Sequence, residues 1–256
     1  MKEFLGFGGY SRSPEGYFSW QHLTFVTALM AIMVLLAVVL GKKNRLATPH
    51  IKNRVLIVAA LLMDGIELFK IVVLCLRSES WSPILGNLPL FLCSIQLITI
   101  PMAAFCKGRL RSAALDFVAI FGVLGAVAGT YGAGQNYGCY PVLSLDNVAS
   151  GLTHSIAGFA ALYVMITGMA DLQKKNMPIT FGILVGFCLG AWIANHFLNT
   201  NYMFLMQGDG TPYDILFNLV GGSPILYPLS VIALFFLYIT GFYIVHLRSQ
   251  KKTAIR

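Results

Sequence analysis

Residues 22–41 read HLTFVTALMAIMVLLAVVLG, twenty residues without one charge, and KKNR follows at 42–45. A helix of that length rises about 30 Å, the thickness of a bilayer's hydrocarbon core. The stretch reads as a membrane span and the basic residues after it as its stop at the water. It begins after a polar segment and lacks a small-residue cleavage site, so it is expected to be a span and not a signal peptide. Six further apolar stretches of similar length follow, roughly at 55–76, 88–106, 113–132, 148–170, 177–198 and 225–246.

The composition agrees. The 256 residues are 57% hydrophobic and only 11% charged, with mean hydropathy +0.74. A soluble domain carries about 25% charged residues, so a soluble fold, a disordered chain and a disulfide-rich secreted scaffold are excluded. No linker or internal repeat divides the sequence. The expected fold is an all-α membrane protein, a bundle of seven transmembrane helices in a single polytopic domain over 1–256. Its expected location is the cell membrane, as a multi-pass protein.

The net charge of +8 is placed with a pattern. Lys42, Lys43, Arg45, Lys52 and Arg54 follow span one; Lys107, Arg109 and Arg111 follow span three; Lys174 and Lys175 follow span five; Arg248, Lys251, Lys252 and Arg256 form the tail. The connections between these segments hold almost no Lys or Arg. By the positive-inside rule the N-terminus is expected outside and the C-terminus in the cytoplasm. Orientation explains the basic excess, and no nucleic-acid partner is expected. The longest external segments, roughly 133–147 and 199–224, are too short for a catalytic domain. Chemistry has to reside in the bundle or at its outer rim.

Polar residues inside spans are costly in hydrocarbon and need a partner, a wet cavity or a function. Asp64, Glu67 and Lys70 lie along one face of span two, which fits either an internal ion pair or a carboxylate that orients a catalytic group. Span three opens as Asn87-Leu88-Pro89-Leu90-Phe91-Leu92-Cys93-Ser94-Ile95-Gln96; Cys93 is a small core residue or, beside a base, a nucleophile. In span five His154 stands between Thr153 and Ser155, as a satisfied core histidine or a general acid/base. Span six ends with Asn195-His196-Phe197, then Asn199-Thr200-Asn201-Tyr202, as interface anchors or as a polar rim. The topology sends Glu67, Cys93, His154 and Asn201 to the outer half of the membrane, and one polar pocket there is the simplest account.

Other features read as structural. Gly125–Gly129, Gly182–Gly186 and Gly186–Gly190 are GxxxG spacings that let helices approach. Asp116 suits the inner N-terminus of span four. The five cysteines form no CxxC and no zinc spacing, and a Cys75–Cys139 bridge stays open. Neither a phosphate-cradling glycine loop nor GxSxG is present. No metal and no cofactor is expected.

The order Glu67, Leu88-Pro89-Leu90-Phe91-Leu92-Cys93, His154-Ser155, Asn201-Tyr202-Met203-Phe204-Leu205 and Gly221-Gly222-Ser223-Pro224 resembles the YwaF-like integral-membrane family, over roughly 50–240. That resemblance implies a link to a eukaryotic branch of phospholipid acyltransferases, which use a Cys and a His within the membrane. Two positions depart from the family pattern: Phe91 stands where a His is common, and Leu90 where the eukaryotic branch has its Cys.

The resulting expectation is a membrane lipid acyltransferase or lipid hydrolase acting on a phospholipid or other acyl lipid. Its catalytic set is His154 as base, Cys93 as nucleophile and Glu67 as orienter. Ser94, Gln96, Asn201, Tyr202 and His196 are its substrate-binding set. The alternatives are an ion-coupled small-molecule transporter and a non-catalytic receptor or assembly module. A homo-oligomer is left open.

Overall fold

Six of the seven expected spans fall on long helices, but the helices differ in kind. In the computed structural model, which describes residues 1–254 and the side chains of 1–249, α1 (Lys2–Leu5) precedes α2 (Trp20–Asn44) and α3 (Pro49–Ser78). Then come α4 (Ser82–Gly86), α5 (Gln96–Phe105), α6 (Gly108–Tyr131), α7 (Gly134–Cys139), α8 (Leu145–Ile166), α9 (Met177–Leu198), α10 (Asp214–Leu219) and α11 (Leu226–Ala254). Five are long and apolar enough to cross a membrane: α2, α6 (running on into α7), α8, α9 and α11. The protein is therefore an all-α polytopic membrane protein. Of the basic tail, the side chains of Lys251 and Lys252, and Arg256 entirely, lie outside the described residues.

One of the seven expected spans needs correction, the stretch 88–106, and another is a helix of a different kind. The stretch 55–76 lies within α3, whose Asp64, Glu67 and Lys70 set it apart from the five apolar helices. The stretch 88–106 is helical only from Gln96 to Phe105, ten residues, or about 15 Å. Residues 88–95 are irregular, because Pro89 donates no hydrogen bond and Ser94 diverts the backbone. Its Oγ accepts from Phe91 N at 3.0 Å and donates to Phe91 O at 3.1 Å. Pro101 removes one more donor inside α5.

α6 is the centre. Ala113 to Gly122 are all buried, and the helix divides two cores. One is shared with α3, α5 and α8 and contains Leu56, Met63, Ile100, Val118 and Tyr163. The other is shared with α9, α11 and the 202–205 turn, around Phe117, Phe121, Leu184, Tyr202 and Tyr243. The closest pairing, α6 on α8, follows from small residues: a Cβ on Gly122 would meet Ala157 O and Ala161 Cβ, each at 2.7 Å. The glycines of α9 do not act this way, since Cβ atoms on Gly182 and Gly186 would meet open space.

Polar locks close both ends. At the lower end Lys52 Nζ donates to Thr167 O (2.7 Å), Asn53 Nδ2 to Ala104 O (2.9 Å) and Arg111 Nε to Ala103 O (3.0 Å). These side chains occupy carbonyls that the ends of α8 and α5 leave unpaired. Asp116 is fully buried, and its expected role as a helix-terminus charge is replaced by a more specific one. Its carboxylate accepts from Leu172 N (3.1 Å), Asn176 Nδ2 (3.0 Å) and Tyr243 OH (2.8 Å), tying α6 to α9 and α11.

At the upper end Arg77 grips Asp146 through both carboxylate oxygens, each at 2.9 Å. Tyr10 OH donates to the same carboxylate at 2.6 Å, and Arg77 also donates to Leu5 O at 3.3 Å. The N-terminal segment is thereby hooked over α3 and α8. Burial and the neighbouring carboxylate push the Tyr10 phenol up to about 12. His22 is a second pin: Nδ1 accepts from Phe18 N and Nε2 lies 3.2 Å from Thr130 O, which fixes a neutral ring protonated at Nε2.

Candidate functional site

The GxxxG of α6 is where polar side chains of separate helices meet. A Cβ on Gly129 would fall against Cε1, Nε2 and Nδ1 of His154, the last at 2.5 Å. A Cβ on Gly125, one turn lower, would lie 3.4 Å from Cys93 Cα and 3.5 Å from its Cβ. His154 of α8 and Cys93 before α5 are therefore seated on one glycine face, one helical turn (about 6 Å) apart along α6. No hydrogen bond joins them directly. Both are enclosed by protein, yet both keep partly open surface. They wall a recess.

Lys70 of α3 acts electrostatically on both His154 and Cys93. Its ammonium holds Glu67 at 2.6 Å, with both side chains 13% exposed. Glu67 is thus committed to Lys70 and makes no hydrogen bond to His154. It still belongs to the cluster, because its charge reaches Cys93.

The irregular stretch before α5 shapes the nucleophile's surroundings. Helical bonding begins with Ile95 N on Phe91 O (2.9 Å), so the amides just after Phe91 are the free ones of a helix start. The N–H groups of Cys93 and Ser94 lie within reach of the Cys93 sulfur. A thiolate or an oxyanion formed there would meet backbone donors and the positive end of a helix. Tyr213, from the 199–224 segment, stacks on Phe204 (5.2 Å between centroids) and lies within electrostatic reach of Cys93.

The expected substrate-binding residues divide. Ser94 caps its own turn. Gln96 is fully buried; its Oε1 accepts from Thr99 (3.0 Å) while Nε2 has no partner. Asn201 and His196 make their contacts elsewhere. Asn201 builds a turn with Met206 N, Gln207 O and Asp209. His196 is exposed, its Nδ1 2.9 Å from Trp192 O. Tyr202 is buried and binds Leu85 O and Leu88 N, so it supports the irregular stretch from behind. Asn195, not singled out from sequence, fixes that support: its Oδ1 accepts from Tyr202 N and its Nδ2 donates to Tyr202 O. All five cysteines are free, so Cys75 and Cys139 form no bridge. Among the described residues no group of three His, Cys, Asp or Glu could hold a metal.

Fold and site define a multi-span helical membrane protein with a polar and aromatic cluster buried among its helices. Residues 17–243 match the TMEM164 family, and the chain belongs to that family. This overturns the YwaF-like resemblance, and the acyltransferase expectation drawn from that resemblance falls with it. No curated protein and no solved structure matches the chain.

Proposed function

We propose that the recess cleaves an acyl ester of a membrane lipid, with Cys93 as nucleophile and His154 as base. The observation that carries this is the shared glycine face of α6, which seats both side chains one turn apart at a recess that Lys70 also reaches. In the first half-reaction His154 takes the thiol proton through one bridging water, and sulfur attacks the ester carbonyl. The N–H groups of Cys93 and Ser94 stabilise the oxyanion. The C–O bond breaks, and protonated His154 returns its proton to the departing lipid alcohol. In the second, water, with His154 again as base, attacks the S-acyl carbonyl; the C–S bond breaks, His154 returns the proton to sulfur, and a fatty acid leaves with the thiol restored. By the positive-inside rule, the basic connections favour the outer leaflet's half of the membrane for this recess.

The test uses the full chain in phosphatidylcholine vesicles. The expected results are free fatty acid and an acyl adduct on Cys93 seen by peptide mass spectrometry. Cys93→Ala should abolish both, and His154→Ala should slow adduct formation by about 10²–10⁴-fold. Fatty-acid release unaffected by Cys93→Ala would refute the reading.

One observation favours a second reading, an ion-coupled permease. Residues 88–95 break a span, as the discontinuous helices of transporters do, and Asp64 Oδ1 and Gln96 Nε2 are buried without partners. Solute uptake driven by a pH gradient, unchanged in Cys93→Ala, would support it over cleavage.

A further inference from the structure

Residues 210–222 reach the neighbourhood of Cys93 through Tyr213, which stacks on Phe204, itself 5.9 Å from the Phe91 ring. Within 211–222 every hydrogen bond formed by a described residue stays inside 208–223: Asp214 N on Thr211 O, Phe217 N on Tyr213 O, Val220 N on Leu216 O, Gly222 N on Phe217 O, Tyr213 N on Thr211 Oγ1. What joins the segment to the bundle is apolar contact: Tyr213, Leu216, Phe217 and Val220 pack against the core shared with α9 and α11. Tyr213 stacks on Phe204 (5.2 Å) and meets Phe235 edge-on (6.2 Å), and Phe217 meets Tyr227 edge-on (5.1 Å). Under Phe217 the Tyr227 hydroxyl is buried with no partner, an unsatisfied group that calls for a reason.

The two ends of the segment are glycine hinges. Gly210 has φ 71°, and Gly221 and Gly222 have φ 62° and 66°, values that only glycine adopts freely. Both faces carry large apolar side chains, alongside the polar Asp214 and Asn218. Tyr213 and Phe217, four residues apart, point inward, while Ile215 and Leu219, also four apart, are 72% and 78% exposed. In sequence that exposed pair is followed by Ile225, Leu226 and Leu229, all exposed at the start of the long apolar helix α11. An apolar face continuous with the lipid-facing side of a span has lipid as its neighbour.

We infer that residues 210–222 form a lipid-seated flap, whose inner face closes the Cys93 recess and whose outer face rests in the adjoining leaflet. Lifting it breaks no hydrogen bond to the bundle and opens the recess sideways to lipid. This takes the recess from the proposed function but does not require that lipid be cleaved there.

The test reads the flap and not turnover. The full chain is placed in phosphatidylcholine nanodiscs and, separately, in detergent. Alkylation of Cys93 by a water-soluble maleimide is followed by peptide mass spectrometry, with hydrogen exchange on the same samples. In the wild-type protein the amides of 211–222 should exchange together, faster than those of α6 and α8, and more slowly in nanodiscs than in detergent. In nanodiscs Ile215→Asp with Leu219→Asp should raise Cys93 alkylation at least tenfold while α6 and α8 stay protected. Unchanged alkylation with α6 and α8 protected would overturn the flap. If that variant unfolds, the wild-type comparison decides, and exchange at 211–222 as slow as in α8 or indifferent to lipid would overturn it too. A flap that behaves as expected in a protein that releases no fatty acid would refute the cleavage reading alone.

Discussion

Replacing Gly129 by alanine should act on His154 and on little else. The added methyl would lie against three atoms of the imidazole, with Nδ1 at 2.5 Å, well inside contact distance. Either the ring rotates out of its seat or α6 and α8 separate. Overpacking of this kind costs about 1–3 kcal/mol. The neighbouring change, Gly125→Ala, places its methyl 3.4 Å from Cys93 Cα and 3.5 Å from its Cβ, a near-ordinary contact that should cost well under that range. The assay is unfolding of the full chain in mixed micelles with increasing SDS. Gly129→Ala should be destabilised and Gly125→Ala nearly neutral. Removing the clash from the other side supplies the control: Gly129→Ala with His154→Ala should recover stability, giving a coupling energy of about 0.5–3 kcal/mol. If Gly129→Ala is as stable as the wild type, or if its cost adds to that of His154→Ala without coupling, the glycine face does not seat the ring.

Two further outcomes follow from the locks. Asp116→Ala leaves Leu172 N–H, Asn176 Nδ2 and Tyr243 OH facing no carboxylate, at about 1–3 kcal/mol for each donor left unpaired; Asp116→Asn should cost clearly less in the same unfolding assay, and equal costs would count against the network. Tyr10, with a phenol raised above its ordinary value of 10.0 to about 12, contributes a hold on the N-terminal segment that is complete below pH 10 and is lost as pH rises through 12. Proteolysis within residues 1–18 should accelerate over that window, and Tyr10→Phe should show the fast rate already at pH 8.

What the sequence made legible was what hydrocarbon enforces. Each long apolar run became a helix because every backbone group in lipid has to be satisfied within its own segment. The run at 88–106 failed in part because local chemistry outweighed it: Pro89 and the Ser94 turn spoil the first half, and protein from 199–224 covers it, so irregular backbone is tolerated there. His154 and Cys93 were legible as types but not as neighbours. Their meeting depends on Gly125 and Gly129, whose spacing reads only as close helix approach until the facing residue is known. Depth along a helix axis says nothing about azimuth: near the end of α9, Asn195 is buried while its neighbour His196 is exposed.

A single helix therefore does two jobs at different depths. In its lower half α6 presents Asp116, and three neutral donors from α9, α11 and the loop between α8 and α9 converge on it, which fixes the rotation of α6 about its own axis. Half of the site's geometry follows from that rotation: with Asp116 turned to α9 and α11, Gly122, Gly125 and Gly129 are turned to α8 and α5. Smoothness on that face is what admits an imidazole and a thiol side by side, and bulk there would exclude both. Asp116 thus sits far from the recess and still sets where His154 can lie. Loss of the Asp116 network should accordingly loosen His154 before it unfolds the chain.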